Sequence, residues 1–182
     1  MTKVTYSKRI TLCAVCIALC YVLPIAFHAV GIGGILSPMH IPVLLCGLIC
    51  GGGYGALCGL VGPVLSHLLG GMPPLTMLVR MIPELCAYGL VSGLAMKYIR
   101  SGRFGADVYI SLILAMIAGR IVGGIATAVF YTVTSGVYSL ALWATSYFVE
   151  SVPGIVAHLV IVPVLVFTLQ KARLIPGRYY KT

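Results

Sequence analysis

The chain has 182 residues, 60% of them hydrophobic and only 8% charged, with a mean hydropathy of +1.10 and a formal net charge of +9. So much apolar surface excludes a soluble domain of this size and calls for a helical membrane protein. The positive charge does not point to nucleic acid, because it sits in short loops beside apolar tracts with no aromatic interleaving. The lipid bilayer is the expected partner and nucleic acid is not one.

Ten of the twelve basic residues fall in three clusters: Lys3/Lys8/Arg9, Lys97/Arg100/Arg103 and Lys171/Arg173/Arg178/Lys181. Basic residues flanking membrane spans collect on the cytoplasmic side. All three clusters are therefore expected to face the cytoplasm, and each stretch between them crosses an even number of times. Residues 10–30 make the first span. The basic residues before it look like the start of a signal peptide, but the apolar run is long and lacks a small-x-small cleavage site. Its removal would also break the parity, so it is expected to be retained. Ala14 and Ala18 lie four apart on one face near the cytoplasmic end, where they serve either internal packing or a partner helix.

Residues 36–70 contain no Lys, Arg, Asp or Glu, and the run Gly51-Gly52-Gly53-Tyr54-Gly55 divides them. Two short spans, 38–51 and 55–70, satisfy the parity; a re-entrant hairpin is the competing reading. Residues 75–97, 108–132 and 151–170 each reach the ~20 residues a span requires. The expected fold is an all-α integral membrane protein. It has six transmembrane helices in a single domain covering residues 1–182, and both termini are cytoplasmic. Residues 31–37, the Gly70-Gly71-Met72-Pro73-Pro74 turn and residues 133–150 form the outside loops. The last holds Tyr138, Trp143, Tyr147 and Phe148, which act either as interfacial anchors or as a surface on which a ligand stacks.

Small residues four apart (Gly51, Gly55 and Gly59; Gly89 and Gly93; Ala115, Gly119 and Gly123) supply close helix contacts. Prolines Pro24, Pro42, Pro63, Pro83, Pro153 and Pro163 begin or interrupt spans. Pro83 frees the carbonyl of Val79 within a turn of Arg80 and Glu84, which suggests a polar cavity at that level.

A charge inside a bilayer costs on the order of 2.5–3.5 kcal/mol on insertion scales and needs a partner or a purpose. With ~1.5 Å per residue, Arg80 lies roughly 7 Å below the outer boundary, Glu84 roughly 13 Å and Arg120 roughly 16 Å. His158 reaches the level of Glu84, while His40 and His67 sit near the outer ends of spans two and three. Arg80 and Glu84 share a helix face and can pair. Arg80, Arg120 and Glu84 together leave one positive charge over, which either Glu150 or a bound anion must meet. A guanidinium fork suits carboxylate or phosphate, so the sharper reading is a site for a small anionic solute. Ser66, Thr76, Thr127 and Tyr131 are candidates for its hydrogen bonds.

The cysteines at 13, 16, 20, 46, 50, 58 and 86 fall mostly in the inner halves of spans one to four, with Cys13, Cys16 and Cys20 forming one stripe and Cys46 with Cys50 another. They suit packing, or a thiolate metal or iron–sulfur site. No stripe has strong ligand spacing, so neither a metal site nor a cofactor is expected. There is no G-x-x-x-x-G-K-[ST] or H-E-x-x-H motif. The chain is not expected to be an enzyme, and energy for transport must come from another subunit.

Several stretches resemble the substrate-binding S components of energy-coupling-factor (ECF) vitamin transporters. They are Ala14-Val15-Cys16-Ile17-Ala18, Met39-His40-Ile41-Pro42-Val43, the glycine-rich run from Gly51 to Gly62, Gly70-Gly71-Met72-Pro73-Pro74, and Ala118-Gly119-Arg120. The resemblance implies an ECF S-component-like fold that captures a water-soluble micronutrient from outside, in a pocket of the outer halves of helices four to six. It further implies docking on a transmembrane coupling subunit with two cytoplasmic ATPases, delivery by toppling, and a prokaryotic plasma membrane. The family's alanine-x-x-x-alanine coupling motif matches Ala14 and Ala18. Arg80, Glu84, Arg120, His40, His67, His158, Trp143 and Tyr147 are the candidate ligand contacts. Among micronutrients, an anionic one leads, pantothenate first and folate-like or pyridoxine-like compounds next. The alternatives are an intramembrane redox subunit using the clustered cysteines and a self-contained channel or scaffold.

Overall fold

The computed structural model describes residues 6–29, 31, 37–134, 139, 145, 151–172 and 174–175. Six helices run through them: α1 (Tyr6–Ala29), α2 (His40–Cys50), α3 (Gly52–Gly70), α4 (Leu75–Tyr98), α5 (Phe104–Val133) and α6 (Val152–Lys171). All the described regular structure is helical, as the composition requires.

Five of these helices are long and apolar enough to cross a membrane; α2, with 11 residues, is not. At ~1.5 Å per residue, α2 rises only about 16 Å, roughly half of a hydrocarbon core. Its sequence explains the difference from a full span. All its residues but Ile49 are buried; apolarity on every side suits lipid as well as a bundle interior, so it is the close of the helix at a glycine turn after 11 residues that sets it apart from a full span. It touches every other helix. It ends at Gly51, whose φ of 105° a side chain would strain, and α3 begins at the next residue.

α4 packs most broadly against α3 and α5, and α1 lies against α3 and α2. At their glycines, α2, α3 and α4 approach one another backbone to backbone. A methyl on Gly89 would strike the backbone of Gly55, and one on Gly93 that of Gly52. Gly47 in turn approaches the Gly89 carbonyl. This is the packing that small-xxx-small spacing provides where no water drives helices together.

The cysteines belong to the same inner packing. Cys13, Cys16, Cys20, Cys46, Cys50 and Cys58 are buried free thiols where α1 meets α2 and α3, and Cys20 Sγ lies 4.0 Å from Cys58 Sγ. Among the described residues, no group of three or more His, Cys, Asp or Glu is arranged to hold a metal ion. The opposite face of α1, which includes Ala14, Val15, Ala18, Val22 and Ile25, is exposed.

The start of α1, the α2–α3 turn, the α4–α5 turn and the end of α6 share one end of the bundle. Cys13 Sγ reaches the Tyr54 carbonyl at 3.6 Å there, and Phe104 meets Phe167 edge-on at 6.1 Å. Lys97, Arg100 and Arg103 sit at this end. Asp107 is fully buried and accepts hydrogen bonds from the Ser101 backbone N–H (2.8 Å) and hydroxyl (2.7 Å). It thereby fixes the α4–α5 turn at the positive end of the α5 dipole.

Candidate functional site

At the other end, a cavity of about 490 Å³ opens between the helices. Pro24 and His28 of α1 and the residues 37–40 leading into α2 form one wall. The turn Met72-Pro73-Pro74 forms a second. The remaining walls are Met77, Arg80, Met81 and Glu84 of α4, Arg120 of α5, and Ser151, Gly154 and His158 at the start of α6. The α4 contribution is a single helical face, with spacings of three and four residues along the chain.

Arg80 and Glu84, one turn apart, do not pair. The Arg80 guanidinium lies over two α5 rings, Phe130 at 5.5 Å and Tyr131 at 5.6 Å, and its Nε donates to the Thr76 carbonyl at 3.1 Å. Ring faces attract a cation without neutralising it. Among the described residues Arg80 makes no ion pair. Glu84 turns the other way, and its Oε1 lies 3.6 Å from His40 Nε2. Its carboxyl packs on Gly123, where a methyl would come within 2.9 Å of Glu84 Cδ.

His40 is held from three sides. Its Nδ1 donates to the Ser37 carbonyl at 3.1 Å, which directs Nε2 toward Glu84. The ring meets Tyr88 edge-on at 5.0 Å and stacks on His158 at 5.5 Å. Tyr88 is itself buried against Gly119. The α5 stripe Ala115/Gly119/Gly123 thus admits the side chains of Tyr88 and Glu84, whereas the α3–α4 glycines admit backbone. Arg120 is 6% exposed and donates from Nη1 to the Ser151 hydroxyl at 2.5 Å, tying α5 to the start of α6.

The six candidate contacts that the described residues contain therefore separate. His40, Arg80, Glu84, Arg120 and His158 line one cavity; His67 does not. His67 Nδ1 donates to the Pro73 carbonyl at 2.8 Å, and Ser66 donates to the Met72 carbonyl at 2.8 Å. Both brace the turn that forms a wall. Trp143 and Tyr147, like Glu150, lie outside the described residues. Sequence reasoning missed Met39, Met72, Met77 and Met81, four of the chain's seven methionines, all on the cavity. Met77 and Met81 were findable, since they share the helical face of Arg80 and Glu84. Met39 and Met72 come from turns and carry no periodic signal.

An open, methionine-lined cavity with two guanidinium groups, one carboxylate and two stacked histidines has the shape and chemistry of a candidate site for a small polar solute. The family model for the substrate-specific component of ECF transporters matches residues 8–166. The chain belongs to that family. It is thus a substrate-specific, multi-pass membrane subunit of an ECF transporter rather than an enzyme, and works with the membrane and ATPase subunits of the ECF module. No curated protein matches the chain. No solved structure matches it either.

Proposed function

We propose that this S component captures a small anionic vitamin or vitamin precursor, with pantothenate the leading candidate, from outside a prokaryotic plasma membrane. The solute occupies the cavity at the end of the bundle opposite the basic turns. The observation that carries this reading is the Arg80 guanidinium, which lines the cavity over two aromatic rings and has no carboxylate partner among the described residues. A carboxylate or phosphate brought to it forms charge-assisted hydrogen bonds, stronger than neutral ones. Arg120 adds a second positive charge on the facing helix. Folate-like and pyridoxine-like compounds follow pantothenate in order.

The occupied subunit then topples on the coupling subunit, driven by the two cytoplasmic ATPases, and presents its site inward. Docking falls on the outer face of α1. Ala14 and Ala18 are exposed there, while the cysteine stripe of the same helix is buried, so these small residues are available to a partner helix. Equilibrium binding of radiolabelled pantothenate to the purified chain tests the substrate. Saturable one-to-one binding displaced by unlabelled pantothenate is expected. Absence of binding while another small anion saturates the site removes pantothenate and keeps the site.

A further inference from the structure

We infer that the cavity reads two opposite poles of one ligand: an anionic group held by Arg80, and an N–H donor held by the Glu84 carboxylate. The inference rests on the anion site of the proposed function and narrows its substrate class: pantothenate meets it only through its amide N–H, and a solute that also carries an ionisable nitrogen meets it better. Arg80 and Glu84 stand at the spacing where an arginine and a glutamate on one helix face ordinarily pair. Instead they diverge. Phe130 and Tyr131 hold the guanidinium, and Gly123 leaves the room into which the carboxyl turns. The polar neighbour of Glu84 among the described residues is His40 Nε2 at 3.6 Å, within ion-pair distance when the imidazole is protonated but beyond hydrogen-bond length, and its side chain is 13% exposed. The cavity therefore presents a cation and an anion that the helix itself could have neutralised.

A ligand that is only an anion would satisfy Arg80 and leave Glu84 opposed to it. A ligand that is only a cation would do the reverse. One bearing a carboxylate or phosphate and, at a distance, an amine or a protonated ring nitrogen satisfies both. Four residues of helix set the two side chains' attachment points about 6 Å apart along the α4 axis, and their charged heads turn apart from there. Met81 lies between them on the same face, so the body between the poles meets an adaptable thioether and is apolar. The ligand class is a small amphoteric molecule with an apolar spacer.

Three probes test this on the full purified chain in nanodiscs by calorimetric titration at millimolar concentration: ε-aminocaproate, caproate and hexylamine. ε-Aminocaproate should bind at least about tenfold more tightly than either single-pole probe, a difference of ~1.4 kcal/mol. In Glu84→Gln its advantage over caproate should shrink to within about twofold. The comparison within the wild-type chain stands even if a variant fails to fold. Equal binding of caproate and ε-aminocaproate overturns the two-pole inference, and so does no binding of ε-aminocaproate. If caproate binds as tightly as ε-aminocaproate and Arg80→Met abolishes both, the anion site survives without its second pole. If neither carboxylate responds to Arg80→Met, the proposed function falls with it.

Discussion

The charge arrangement in the cavity depends on residues that carry no charge. Gly123 has no side chain, and that absence lets the Glu84 carboxyl leave Arg80 and lie toward His40. Gly123→Ala places a methyl 2.9 Å from Glu84 Cδ and must displace that carboxyl. Ligand affinity should fall about tenfold, in line with ~1–3 kcal/mol for overpacking a tight site. Gly53→Ala meets nothing within 4 Å and serves as the control, with affinity and thermal midpoint unchanged. The sequence left open whether Arg80 and Glu84 neutralise each other or serve a ligand. Their spacing permits the pair, and the rings that draw Arg80 away belong to another helix, about fifty positions along the chain. Tertiary cation–π contacts of this kind leave no periodic trace.

The helices themselves are written in hydropathy. All six expected spans correspond to helices, and their boundaries follow the basic clusters, prolines and glycines. The length of α2 was not legible in that way. Charge parity asks only for an even number of crossings and says nothing about how completely each one spans. A short helix surrounded by five others also reads the same as a short helix in lipid. Glycine spacing identified close approach but not its recipient, which is backbone for Gly55 and side chain for Gly119 and Gly123. The distinction predicts different costs. Gly55→Ala sets a methyl against the Gly89 carbonyl, which cannot move without separating α3 from α4. It should lower stability by about 1–3 kcal/mol, read as a lower thermal midpoint, and lower ligand affinity with it. A Gly55→Ala chain as stable as wild type would show that these helices are less closely packed than described.

As a whole, the molecule separates its two tasks in space. The cavity lies at one end, built from α4, α5, α6, the turns before α2 and α4, His40 at the start of α2 and the far end of α1 at Pro24 and His28, while Ala14 and Ala18 lie on the outside of α1 and do not line it. Ala14→Leu and Ala18→Leu should therefore leave ligand binding to the purified subunit within about twofold, and should block uptake by the assembled transporter by an order of magnitude or more. Loss of binding in either variant would join the two functions that the geometry separates. Family membership was legible from short stretches together with topology. The substrate was not, because it depends on how a few side chains turn inside one cavity.

Native mass spectrometry of the gently purified chain bears most directly on the anion site. Wild-type protein should carry one small organic acid per chain. That adduct should be lost from Arg80→Ala and Arg120→Ala while both variants express and fold, because removing one partner of a desolvated charge pair costs about 2–5 kcal/mol. An adduct retained at wild-type occupancy in both variants, or one made up of phospholipid alone, would contradict the account.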